Sequence, residues 1–234
     1  MTEAFDIKVG KLDFKSDTGI KSSFGKGKSL TPFTKKILGD DLVSYSLYNA
    51  NTDNSTDIMK AIKSADMNDS DVKDFLNRTA IYAARVLRGL KVDVIVTPVS
   101  SSPLTKEFVK EISRRTNYDV YTDSFRKVPD FSKIRIDTSH PGLTDKIKDS
   151  MEKTIERATR RGNLSVKMFA PHHRKFITNL FEVVDKNLFD KIVDKHVVII
   201  DDVMTSGTTA KNIYDVLRTN GAEKVSALTI FKSS

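Results

Sequence analysis

The spacing of apolar residues changes along the chain, and each spacing predicts a different kind of element. In the first 55 residues short alternating pieces, Phe5-Asp6-Ile7-Lys8-Val9 and Leu42-Val43-Ser44-Tyr45, stand among Lys, Asp, Ser, Asn and Thr and predict edge strands. From residue 56 the period becomes helical. Ile58, Met59 and Ile62 share one face, and Val72, Phe75, Leu76, Tyr82, Ala83, Val86 and Leu90 continue it, with Ser70 as candidate N-cap and Gly89 near the stop. Val92 to Pro98 is then a short β-branched run of the kind buried inside a parallel sheet. Ser102 as N-cap and Pro103 as first helical residue open a helix whose Leu104, Phe108 and Ile112 recur every four residues. Tyr118 to Tyr121 follows as a strand. Strand, helix and strand within about thirty residues make a βαβ unit, which joins parallel strands by a right-handed crossover.

Between residues 127 and 175 the rhythm breaks. Pro129, Pro141-Gly142, a polar helix from Asp145 to Arg161 closed by Gly162, and Pro171-His172-His173-Arg174 mark an insertion. Its helix carries only a thin apolar stripe, Ile147, Met151, Ile155 and Ala158, with Asp149–Lys153 and Glu156–Arg160 as i,i+4 pairs. Such a stripe predicts modest packing on one side only. Strand-like runs return at Phe176 to Val184 and Lys195 to Ile200, followed by an amphipathic helix from Thr209 to Asn220, Gly221, and a last strand from Val225 to Phe231. There is no internal repeat. The pattern predicts an α/β fold with a mainly parallel sheet flanked by helices: an N-terminal extension over residues 1–55, and a main domain over 56–234 that contains the 127–175 hood insertion.

Composition narrows the function classes. The 234 residues contain no cysteine, which excludes disulfides, thiolate zinc sites and a cysteine nucleophile and agrees with a reducing compartment. No run approaches the roughly 18 apolar residues of a membrane span, so a cytoplasmic protein without a membrane partner is expected. The net charge is +8, and residues 126–186 hold 14 basic against 8 acidic side chains. A basic segment favours a polyanion, be it nucleic acid, a membrane surface or a phosphorylated small molecule, and sign alone does not choose.

The sharpest chemical signal is Val197-Val198-Ile199-Ile200-Asp201-Asp202-Val203-Met204-Thr205-Ser206-Gly207-Thr208-Thr209. Four β-branched residues in a row predict a strand buried on both faces, so the two acids fall at its carboxyl end, where open α/β sheets bind ligands. Adjacent aspartates there suit hydroxyls or a cation. The small residues Thr205 to Thr209 lead into a helix, and their N–H groups and hydroxyls can surround a phosphate at the positive end of the helix dipole. Gly207 permits the turn.

This thirteen-residue string resembles the 5-phosphoribosyl-1-diphosphate (PRPP) signature of type I phosphoribosyltransferases, and the likeness extends over roughly residues 90 to 234. The resemblance implies a Rossmann-type core and transfer of ribose 5-phosphate from PRPP to a nucleobase-like acceptor, with release of pyrophosphate. It implies Mg²⁺ as cofactor, Asp201 and Asp202 as catalytic residues that hold the ribose hydroxyls and the metal, directly or through water, and Thr205, Ser206, Gly207, Thr208 and Thr209 as the phosphate loop. Pyrophosphate contacts fall on Ser100, Ser101 and Ser102 after the first core strand and on Arg126 and Lys127 after the second. The serine loop departs from the family pattern, having no Gly and no base before Lys106. The order of parts, with Arg174 and Phe181 ahead of the PRPP strand, looks most like the ComF-type branch. Purine-salvage members that take 6-oxopurines usually have an acid where this chain has Thr205, which argues against hypoxanthine or guanine. A non-catalytic PRPP-sensing regulator, or a relative that contacts nucleic acid through the basic insertion, is the alternative, and a homodimer stays open.

Other candidates carry less. Gly25-Lys26-Gly27-Lys28-Ser29 ends like a phosphate-binding loop but has Ser22 where the pattern needs Gly, and no hydrophobic strand precedes it. His172-His173 lacks metal-site spacing, because adjacent side chains seldom converge on one ion. The charged face with Lys153, Arg157, Arg160 and Arg161 reads first as a solvated surface.

Overall fold

The computed structural model describes residues 31–38, 41–50, 66–68, 70–99, 102–162 and 166–233. The expectations for Phe5 to Val9, Gly25 to Ser29, Ile58 to Ile62, Ser100 and Ser101 lie outside the described residues. Among the described residues nine strands are β1 Thr31–Ile37, β2 Val43–Ala50, β3 Val94–Pro98, β4 Asp119–Lys127, β5 Arg135–Ile136, β6 Ile177–Thr178, β7 Phe181–Val183, β8 His196–Met204 and β9 Lys224–Ser233. The helices are α1 Ser70–Leu90, α2 Pro103–Ser113, α3 Asp145–Arg161, α4 Leu188–Ile192 and α5 Thr208–Thr219. Seven strands form one sheet in the order β1-β2-β9-β8-β3-β4-β7, and β5 and β6 form a separate pair. The five central strands are parallel, and the edges β1 and β7 run antiparallel to their neighbours.

β8 is buried on both faces, and alternate residues enter two separate cores, as the two-residue period of a strand requires. Val197 and Ile199 join Val94 and Val96 of β3 under Ile213 and Leu217 of α5. Val198 and Ile200 join Ile95 under α1 and α2, through Phe75, Leu87, Phe108 and Ile112. Helices therefore cover both faces. α1 runs through Gly89 and stops one residue later than the glycine suggested. Lys91 takes the left-handed conformation at φ 55; its N–H donates to Arg88 O, and Val92 N–H donates to Leu87 O. That bond pair is a Schellman closure, and burial of Leu87 and Val92 in one core compensates for the missing glycine.

Two features bear on the division of the chain. β1 and β2 come from the stretch read as an N-terminal extension, yet β2 pairs in parallel with β9 from Val43↔Ser226 to Ala50↔Ser233. Leu47 and Tyr48 are buried in the core under α1, and the pairing carries the sheet across the boundary placed at residue 55. The 127–175 insertion is also packed more deeply than its thin stripe implied. Met151 and Ala158 of α3 are fully buried with Ile134, Phe169 and Phe176 in the same core as β3, β8 and α5. α3 has the predicted limits, with Thr144 Oγ1 accepting from Ile147 N–H and Gly162 at φ 62. Of its two expected ion pairs Glu156–Arg160 is present at 3.8 Å. Lys148–Glu152 at 3.9 Å stands in place of Asp149–Lys153.

Asn212 of α5 joins the end of the insertion to the core. It is buried, its amide donates to Ile177 O at 2.9 Å and Thr208 O at 3.0 Å, and its Oδ1 accepts from Leu180 N–H at 2.9 Å. Asn212→Ala leaves buried backbone groups without partners, so a loss of about 3 kcal/mol is expected. This corresponds to a melting temperature lower by roughly 6–12 °C for a domain of this size. A melting temperature within 2 °C or so of wild type in calorimetry would contradict this role of the amide.

Candidate functional site

The strand order reverses at β3. From it the chain moves to β4 on one side and later returns to β8 on the other, so α2 and α5 leave toward opposite faces. The carboxyl ends of β3 and β8 thus form the topological switch point, where α/β sheets bind ligands. Asp201 and the loop Thr205–Thr209 lie there, lining a cavity of about 190 Å³ together with Val166, Arg174 and Thr229.

The loop is held by its own hydroxyls. Ser206 Oγ and Thr208 Oγ1 are 2.8 Å apart, Thr208 N–H points to Ser206 Oγ at 3.4 Å, and Thr208 Oγ1 donates to Arg174 O at 3.3 Å. Gly207 is the N-cap of α5 at φ 77, a left-handed conformation that favours glycine. The first-turn N–H groups of a helix have no intrahelical acceptor and carry the positive end of its dipole. Arg174 adds a full charge beside them. It is half-buried, its Nε donates to Phe169 O at 3.1 Å, and it has no carboxylate partner among the described residues. Sequence reading had used Arg174 only as a landmark; its signal was its place in the basic Pro171–Phe176 turn.

The acid pair is not freely solvated. Asp201 Oδ1 accepts from Asp202 N–H at 2.9 Å. Burial, and next the Asp202 charge, push the Asp201 carboxyl up to about 8. Only Asp201 lines the cavity, with Asp202 next to it at the rim. Positive and negative fields therefore adjoin, loop and Arg174 on one side and carboxylates on the other.

The residues expected around pyrophosphate are more scattered. Ser102 takes the N-cap of α2 in extended conformation without a side-chain cap bond, and is buried. Thr105, in the first turn of α2, has a buried hydroxyl with no hydrogen-bond partner, a feature that sequence reading missed. Extending the β3–β8 register by two residues sets Pro98 beside Asp201, and Pro98 pairs with Phe125. Arg126 and Lys127 therefore stand at the same rim, two strand spacings or about 10 Å from β8. Arg126 Nε is bound to Glu182 Oε1 at 2.9 Å, and Lys106 pairs with Asp123 at 3.3 Å. His172 and His173 meet edge to face at 4.2 Å between ring centres, and burial with the neighbouring His172 lowers the His173 pKa. Among the described residues no group of three His, Cys, Asp or Glu could hold a metal, and no helix is long and apolar enough to cross a membrane.

The family model for the phosphoribosyl transferase domain matches residues 75–234, more than half of the chain. The chain belongs to the phosphoribosyltransferase family. Phosphoribosyltransferases are also found among similar solved structures. A hypoxanthine phosphoribosyltransferase from Staphylococcus aureus is 12% identical over 74% of this chain and 70% of that chain, with a TM-score of 0.39. A hypoxanthine-guanine phosphoribosyltransferase from Bacillus anthracis is 14% identical over 69% and 68%, with a TM-score of 0.37. A purine phosphoribosyltransferase from Pyrococcus horikoshii is 14% identical over 68% and 82%, with a TM-score of 0.36. At these values the likenesses carry no argument about the acceptor. No curated protein sequence matches.

For a phosphoribosyltransferase site the donor set fits Mg²⁺, which typically takes one or two carboxylates and completes its shell with water and substrate phosphates. The Asp201–Asp202 pair, with its raised carboxyl, is a donor set of this kind. The same burial yields a stability prediction. A carboxyl raised in the folded state stabilises the fold below its unfolded value of 3.8, and that contribution is lost as pH rises toward 8. Asp201→Asn keeps the neutral form throughout. Its melting temperature, measured without ligand or metal, should exceed that of wild type by an amount that grows from pH 4 to pH 8. An advantage that shrinks over that range would contradict the burial of the charge.

Proposed function

We propose that the protein is a Mg²⁺-dependent phosphoribosyltransferase that binds PRPP and transfers ribose 5-phosphate to a nitrogen of a nucleobase-like acceptor. The carrying observation is that Asp201, the Thr205–Thr209 loop and Arg174 line one cavity at the switch point. The loop N–H groups, its hydroxyls and Arg174 bind the 5′-phosphate. Asp201 and Asp202 accept hydrogen bonds from the ribose hydroxyls and hold the cation, directly or through water. Bound Mg²⁺ supplies charge neutralisation for pyrophosphate. In the reaction the C1–O bond breaks with its electron pair leaving on pyrophosphate, and the acceptor nitrogen bonds to C1 and loses its proton. An oxocarbenium-like transition state needs positioning and nearby negative charge, and Asp201 and Asp202 provide both. Thr205 in place of an acid favours an acceptor other than a 6-oxopurine, and the order of parts favours the ComF-type branch.

A second reading has a specific observation behind it. Arg126 and Lys106 are each neutralised by a carboxylate, and the Ser100–Ser102 loop brings no base, so a PRPP-sensing regulator would also explain this rim. Pyrophosphate release from PRPP and Mg²⁺ against a panel of nucleobases separates the two. Release with at least one base is expected, and PRPP binding without release for any base would favour the sensor.

Gly207→Val forces a β-branched residue to φ 77, a conformation costing about 1–3 kcal/mol. Calorimetric titration with adenosine monophosphate and with PRPP should show at least tenfold weaker binding, roughly 1.4 kcal/mol, in a variant that still melts cooperatively. Wild-type affinity in that variant would refute the assignment of the phosphate loop.

A further inference from the structure

The family match starts at residue 75, yet the loop read above as the ribose phosphate site is touched by residues that precede it. β1 and β2 are antiparallel neighbours, and just after β1 Leu38 N–H donates to Leu42 O at 3.0 Å. The Leu38 side chain reaches the phosphate loop. A Cβ placed on Gly207 would stand 2.9 Å from Leu38 Cδ2 and 3.0 Å from Cδ1. The absent side chain of Gly207 is thus matched by a present one on Leu38. Leu38 packs on the core that holds Met204 and Ala210, and it is not among the residues lining the cavity. It therefore touches the loop from outside the cavity.

Two further contacts run in series with this one. At the start of the loop Ser44 Oγ donates to Met204 Sδ at 3.2 Å, with both residues buried. One strand away Ser46 Oγ and Thr229 Oγ1 are hydrogen-bonded at 2.8 Å, and Thr229 lines the cavity. The parallel register of β2 on β9, with Ser44↔Ala227 and Ser46↔Thr229, fixes where these side chains arrive. A loop of small residues around a glycine has many conformations, and holding it in one before the ligand arrives removes an ordering cost from binding.

We infer that the β1–β2 hairpin is a working part of the ribose phosphate site, with Leu38 as the positioning residue that holds Gly207 and Ser44 as the anchor of the strand end. The inference rests on the reading of Thr205–Thr209 as the phosphate loop. It places a part of the site before residue 75, where the family match begins.

The test uses the full chain, with ribose 5-phosphate and PRPP as probes in calorimetric titration and with amide exchange followed across the loop. Leu38→Ala should weaken both ligands by about three- to thirtyfold and speed exchange at Thr205–Thr209, while exchange in α1 and α2 stays at wild-type rates. Leu38→Met, which refills the volume, should restore affinity. The losses from Leu38→Ala and Gly207→Ala should not add in the double variant, because each disturbs the same contact. If Leu38→Ala does not fold, Leu38→Val, which lacks the Cδ atoms, is read in the same way. Wild-type affinity and wild-type loop exchange in these variants would overturn the role of Leu38 alone. Faster exchange throughout α1 and α2 in parallel with the loop would show a purely structural residue and overturn it as well. If the wild-type chain binds neither ribose 5-phosphate nor PRPP, the functional reading fails and the inference fails with it.

Discussion

Burial of β8 on both faces is the constraint from which the rest follows. Val197 to Ile200 have no exposed side, so helices must cover the sheet above and below. Past Ile200 the strand becomes polar, with Asp201 and Asp202 partly exposed at its carboxyl end. The reversal of strand order at β3 then keeps that end open, because α2 and α5 depart to opposite faces. An open rim at the centre of the sheet, with two acids and the first turn of a helix, results from the layering itself.

The site that results is divided electrostatically. Arg174 and the start of α5 face one part of the cavity, and the partly buried Asp201 faces another. The separation opposes stability in the free protein, since Asp201 is raised by burial and by its neighbour. In the function proposed above, a phosphorylated sugar would complement both parts together, its phosphate on the loop and its hydroxyls on the carboxyl side. Unfavourable electrostatics before binding and complementary electrostatics after it are common at sites selected for a ligand.

The insertion between β4 and β7 contributes to this division. It brings Arg174 to the cavity, and it does so on a segment anchored by Phe176, Ile177 and the Asn212 bonds. Of its basic residues, Lys153, Arg157, Arg160 and Arg161 lie outward and exposed on α3. The inner side of the same helix is apolar and fully buried at Met151 and Ala158. One segment thus combines a packed base with a basic surface.

Local patterns were enough for the α/β class, the start of α2, the limits of α3, the doubly buried strand and the glycine turn that opens α5. Each depends on neighbours within a few residues: β-branched runs, four-residue spacing, a cap, a glycine at positive φ. Long-range partners decided the remainder. Nothing near Leu42 to Tyr45 indicates that the strand will lie parallel to β9, because that pairing depends on which sheet edge is left open once the βαβ units have formed. Nothing in Ile147, Met151, Ile155 and Ala158 states how deep they will lie, since a stripe records which side is covered and not by how much. Arg126, which the resemblance assigns to pyrophosphate, is Glu182's partner because β7 lies antiparallel beside β4. The chain determined which groups could bind a sugar phosphate; only the tertiary structure decided which of them meet, because convergence at one rim depends on strand order, and strand order is set by contacts between residues far apart in sequence.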